Sequence, residues 1–99
     1  MSNVEETREK VVIRPGRDIV SSMVGELREE LKAVVDKQDV LLTVDLEGVR
    51  MIDSMGLGVL IATHNSLMKR NARLELVNIS GDILQLLKNM RLDRHFSLR

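Results

Sequence analysis

The sequence predicts an α/β domain built on a mostly parallel sheet, and three observations carry that expectation. Short runs of branched aliphatics alternate with longer stretches whose apolar residues recur every three or four positions. The order is strand, helix, strand, helix, strand, helix, which calls for right-handed crossovers. The 99 residues allow one domain, residues 1–99, with one modest core burying roughly 60 to 70% of the unfolded surface at this size.

Residues 1–9 are polar and acidic with Val4 as their one apolar anchor, so they form a weakly ordered end or a short edge strand. Val11-Val12-Ile13 reads as a buried strand ended by Arg14-Pro15-Gly16, where proline lacks a donor and glycine permits a turn. From Asp18 to about Asp36, Val20, Met23, Leu27, Leu31 and Val34 form one side of an amphipathic helix. Asp18 or Ser21 is the expected cap, and Lys37-Gln38-Asp39 the expected close. Val40 to Leu46 is apolar on both faces for most of its length, as a central strand requires.

A second helix starts near Ser54, shows Leu57, Leu60, Ile61, His64, Leu67 and Met68 along one side, and ends at Lys69-Arg70-Asn71. Leu74 to Ile79 is another strand. A third helix, capped by Ser80, carries Ile83, Leu84, Leu87 and Met90. The tail from Leu92 to Leu98 folds back so that Leu92, Phe96 and Leu98 close the core.

Composition removes several classes of function. Lys and Arg balance Asp and Glu at 15 each, so no overall field draws the chain to nucleic acid or membrane. The balance is local only: residues 1–63 hold 8 basic against 12 acidic side chains, and residues 64–99 hold 7 against 3. Phe96 is the sole aromatic, which leaves base stacking poorly supplied and makes a small-ligand or nucleotide binder the weakest binding hypothesis. Without cysteine there is no disulfide, thiolate metal site or thiol nucleophile, and His64 and His95 lack a ligand-like spacing. No cofactor is expected. The charged start and the lack of a long apolar run predict a soluble, cytoplasmic protein.

The segment Asp45-Leu46-Glu47-Gly48-Val49-Arg50-Met51-Ile52-Asp53-Ser54-Met55-Gly56-Leu57-Gly58 carries the function. It takes a strand into a helix through a turn that presents a serine, where helix amides and a partial positive charge tolerate either a hydroxyl or a phosphate. Gly56 and Gly58 remove bulk from the first turn, each costing a helix interior about 1 kcal/mol relative to alanine, and would let another protein approach the backbone. The competing expectation is structural: Asp53 or Ser54 caps the helix and the glycines pack against the sheet.

Catalysis by Ser54 finds little support. A nucleophile elbow needs Gly-x-Ser-x-Gly, and residue 52 is Ile. His64 lies ten residues along the same helix, roughly 15 Å away by helical rise. A P-loop would need more glycines and a lysine. Glu29-Glu30 lies between apolar helix positions and faces water.

Through Asp45 to Leu60, Leu74 to Ser80, and Leu87 to Phe96, the chain resembles the STAS domain of bacterial anti-sigma factor antagonists, with Asp53-Ser54-Met55-Gly56-Leu57-Gly58 the most specific part. The resemblance implies the STAS fold: an α/β, mixed but mostly parallel sheet of about four strands, helices largely on one face, and no catalysis. It implies a switch in which a serine kinase of histidine-kinase-like ATPase fold, itself the anti-sigma factor, phosphorylates Ser54. The unmodified form sequesters that partner, freeing the sigma factor, and a metal-dependent serine phosphatase resets the switch. Asp53, Met55, Gly56, Gly58, Asp18 and Ser80 are the expected partner-binding residues.

This chain departs from the family in three ways. The first strand has little material, Asp18 follows Gly16 by two residues with Ile19 at the family's acidic position, and Met55 stands where a small residue is common. A phosphate on Ser54 adds roughly −1.5 to −2 charge beside Asp53 at a surface that must lose water to bind. The alternative function is an adaptor STAS domain, never phosphorylated, within a larger signalling or lipid-handling assembly. Self-association as a weak homodimer through a sheet edge stays open.

Overall fold

A computed structural model describes residues 2–7, 10–36, 41–70, 72 and 74–98. The elements follow in the order β1 (Asn3–Glu6), β2 (Lys10–Arg14), α1 (Val24–Val35), β3 (Leu41–Asp45), α2 (Ser54–Met68), β4 (Leu74–Val77), α3 (Gly81–Asn89) and β5 (Ser97–Leu98). The strands lie side by side in chain order in one five-stranded sheet. β1 pairs antiparallel with β2, and every later pairing is parallel. The sheet is therefore mixed and mostly parallel, as expected, with a two-residue fifth strand that no sequence pattern announced.

Sequential parallel strands fix where the helices go. Each crossover from β2 onward steps in the same direction, so right-handed connections put α1, α2 and α3 on one face. Register agrees: Val11, Leu42 and Leu74 form one row across the sheet, and Ile13, Val44 and Leu76 the next. All six are buried and share a core with Leu27 and Leu31 of α1, Leu57 and Leu60 of α2, and Ile83 and Leu87 of α3. Phe96 joins this core, with Leu92 and Leu98 partly buried against it, so the tail closes the molecule as its pattern predicted.

The other face of the sheet mixes polar and apolar side chains, Lys10, Thr43, Asp45 and Glu75 among Val12, Leu41 and Val77. Val12, Thr43 and Glu75 stand in a row there, and the buried Thr43 hydroxyl donates to Glu75 Oε1 at 2.9 Å. Alternation of buried with half-buried positions along β2 and β4 is the mark of a sheet whose helices cover one side.

The first helix differs from expectation. Instead of running from Asp18, α1 starts at Val24 after a turn, with Met23 at the N-cap and no side-chain cap. Asp18 and Ser21 are held by contacts far away in sequence, which take them out of the helix. Lys37-Gln38-Asp39, the expected close of α1, and Asn71, the last residue of the expected close of α2, lie outside the described residues; α2 itself ends at Met68 with Lys69 at its C-cap. Ser80 does cap α3, its Oγ accepting from the Ile83 N–H at 3.2 Å. Of the residues assigned to the inner side of that helix, Met90 is exposed. No described helix is long and apolar enough to cross a membrane.

Candidate functional site: the serine opening the second helix

The loops that leave the C-terminal ends of β2 and β3 meet and are tied together by backbone and carboxylate. Ile19 and Ile52 form an isolated parallel bridge, with the Ile19 N–H donating to the Met51 carbonyl at 2.9 Å and the Asp53 N–H to the Ile19 carbonyl at 3.1 Å. Asp18 Oδ1 accepts from the N–H groups of Arg50 at 2.8 Å and Met51 at 3.1 Å. In return, Asp53 Oδ2 accepts from the Ser21 N–H at 2.8 Å. Each loop thus supplies one aspartate to the other's amides.

Asp53 also begins α2. Its extended backbone and its Oδ1, accepting from the Gly56 N–H at 2.8 Å, make it the N-cap. The Gly56 N–H holds its carboxyl below the usual carboxylate range; partial burial opposes this, and the Ser21 and Met55 N–H groups add to it. Asp53 is accordingly ionised at neutral pH.

Because Asp53 caps the helix, Ser54 does not. It is the first helical residue and is exposed, beside a carboxylate whose two oxygens already serve the backbone. The extended run before it alternates, with Met51 out and Ile52 in, and α2 then turns Met55 out and Gly56 and Leu57 in. Ser54 is thus exposed in a segment that also exposes Met51, three residues before it, and Met55, directly after it.

The two glycines part ways. Gly56 is buried, and a Cβ there would sit 2.4 Å from the Ile19 carbonyl oxygen, so its smallness serves the fold by admitting the neighbouring loop. Of the two readings held for these glycines, Gly56 follows inward packing, against the Ile19 loop and not the sheet, so the space it leaves is filled by this chain itself. Gly58 is exposed, and a Cβ there would meet nothing.

Ser80 is half-buried and lines, with the Leu46–Arg50 turn, a hollow of about 440 Å³, its hydroxyl engaged as a cap. Asp18 is half-buried and spent on Arg50 and Met51. The structure thus groups Ser54, Asp53, Met55, Gly58 and Asp18 around two tied loops and places Ser80 beside the Leu46–Arg50 turn.

Below this surface Asp45 closes the end of β3. Burial alone would raise its pKa, but the Asn78 amide at 2.8 Å, the Glu47 N–H at 3.0 Å and Arg14 at 3.0 Å outweigh it and hold the carboxyl below its usual range. Sequence reading missed this network. Its signal was an aspartate ending a strand and an asparagine ending the next, which here takes a left-handed φ of 55°.

His64, buried in α2, meets His95 at 6.3 Å and Phe96 at 5.2 Å between ring centroids, both edge-on. It is ten residues along the helix from Ser54, at a distance that denies it the role of general base. Among the described residues no cluster of three or more potential ligands could hold a metal ion.

Solved structures share this architecture. A Thermotoga maritima protein assigned as an anti-sigma factor antagonist superposes with a TM-score of 0.90 at 18% identity, covering 98% of this chain and 84% of its own. An anti-sigma factor antagonist from Mycobacterium paratuberculosis gives 0.86 at 26% identity over 99% and 83%. The Bacillus cell fate determinant SpoIIAA in its phosphorylated form gives 0.78 at 22% identity over 100% and 91%. No curated protein matches the sequence. The STAS domain model matches residues 1–99, and with the mixed, mostly parallel sheet, the one-sided helices and the serine opening α2 in place, this chain belongs to the STAS domain family.

Proposed function

We propose that this protein is an anti-sigma factor antagonist whose grip on its partner is switched by phosphorylation of Ser54. The observation that carries the proposal is the division of labour at the start of α2. Asp53 does the capping, so Ser54 is exposed and its hydroxyl is not needed to cap the helix. A partner surface of histidine-kinase-like ATPase fold, the anti-sigma factor and serine kinase, docks across Ser54, Met55 and Gly58. The likeness to anti-sigma factor antagonists, one of them solved in a phosphorylated form, supports this choice of partner.

Phosphorylation would place roughly −1.5 to −2 charge next to an Asp53 already held ionised. Within the free protein that charge meets the N-terminal end of a helix and is tolerated. In the complex it would be desolvated beside a like charge. A thousandfold loss of affinity corresponds to about 4 kcal/mol, which a buried unpaired phosphate supplies. The domain does no chemistry itself; a serine phosphatase restores the hydroxyl, and the cycle runs in the cytoplasm.

Incubation with the cognate kinase and ATP followed by intact and peptide mass analysis tests this directly. One phosphate on the peptide containing Ser54, absent from Ser54→Ala, is the expected result. No phosphate at Ser54 would overturn the switch and leave an unphosphorylated adaptor as the function.

A further inference from the structure

We propose that Met51 and Met55 form an oxidation-sensitive collar around Ser54, so that peroxide disconnects the partner independently of phosphorylation. This rests on the docking surface proposed above and adds a second input to it. Met51 is 56% and Met55 53% exposed, whereas Met23 in the core is 4% exposed.

The backbone enforces that exposure. Met51 is pinned through its N–H to Asp18 and its carbonyl to the Ile19 N–H, and Ile52 next to it turns into the core, which leaves the Met51 side chain outward. Met55 lies in the first turn of α2, whose inward positions are taken by Gly56 and Leu57. Two large apolar side chains are therefore exposed close to the serine in sequence, Met51 three residues before it on a hydrogen-bonded loop and Met55 directly after it on the helix. Thioethers adapt to irregular apolar pockets and lose that ability when oxidised.

In the chemical step a thioether sulfur lone pair attacks one oxygen of hydrogen peroxide. An S–O bond forms, the O–O bond breaks, and the departing hydroxide takes the proton to leave as water. Sulfur is oxidised by two electrons and peroxide is reduced by two. The sulfoxide places a strong acceptor where docking removes water, and a methionine sulfoxide reductase reverses it. Since both sulfurs are outside the core, the fold is untouched.

The test uses the full chain and its cognate anti-sigma factor as probe. After limited hydrogen peroxide, peptide mass mapping should show one added oxygen on each of Met51 and Met55 and none on Met23, with thermal unfolding unchanged. Affinity should fall roughly ten- to hundredfold and return after treatment with sulfoxide reductases. Met68 and Met90, 49% and 50% exposed and placed at the C-terminal ends of α2 and α3, supply the control. A Met68→Leu, Met90→Leu variant should lose affinity on oxidation as the wild type does. A Met51→Leu, Met55→Leu variant, measured against its own untreated affinity, should not respond to peroxide. If the oxidised wild type binds as tightly as the reduced one, or the Met51→Leu, Met55→Leu variant still responds, the collar is wrong while the docking surface stands. If the reduced wild type does not bind at all, the docking surface and the collar fall together.

Discussion

Gly56 packs against Ile19 so closely that a Cβ on it would stand 2.4 Å from the Ile19 carbonyl oxygen and 2.6 Å from Cγ2. The obstacle is backbone already bonded to the Asp53 N–H, so it cannot step aside. Gly56→Ala should lower stability by about 2 kcal/mol or more, as overpacking against a fixed group does. Gly58→Ala, with nothing near its Cβ, should raise stability by about 0.5 to 1 kcal/mol through helix propensity. Denaturant midpoints of the two variants, moving in opposite directions, check the pair.

Asp53 should give the molecule an acid-sensitive element. Its folded pKa is depressed, so its contribution is fully present above the ordinary carboxylate range and is lost as pH falls through the folded value. Asp53→Asn keeps an acceptor for the Gly56 N–H but removes the charge. The wild type should be the more stable of the two at neutral pH, and the gap should close on acidification to about pH 2. Urea midpoints across that range measure it.

Asp45 is the sole acceptor that the described contacts give the Asn78 amide, and it also receives the Glu47 N–H and Arg14. Asp45→Ala would take the acceptor for those donors away from a buried position. A loss of about 2 to 3 kcal/mol is expected by calorimetry or denaturant unfolding. Arg14 retains Glu5 at 3.0 Å, which limits its share of the damage.

Ser54 should separate stability from binding. Because Asp53 holds the cap, Ser54→Ala and Ser54→Asp should each unfold within about 0.5 kcal/mol of wild type. Their affinities for the anti-sigma factor should diverge, with the alanine variant binding constitutively and the aspartate variant weakened. Calorimetric titration of each variant measures the contrast.

Two of the three helix starts were legible because their signals are local. Asp53 and Ser80 each sit three residues before an amide that they cap, and short-range rules contain that information. α1 was misread for the opposite reason. Asp18 looks like a cap from its neighbours, yet its carboxylate bonds Arg50 and Met51, more than thirty residues on, and the Ser21 N–H goes to Asp53. No periodicity reports such a contact. β5 escaped notice because two residues carry no alternation and are a strand only by lying beside β4. The serine was found in the motif, but its freedom from capping was a question of which of two adjacent oxygen-bearing side chains meets Gly56, and geometry alone answered it.

The exchange of aspartates between the Asp18 and Asp53 loops has a kinetic consequence. A visiting protein meets a face whose shape is set before arrival, so little ordering entropy is surrendered on contact. Encounter should proceed as near rigid-body docking, with variation among partners expressed mainly in how long they stay.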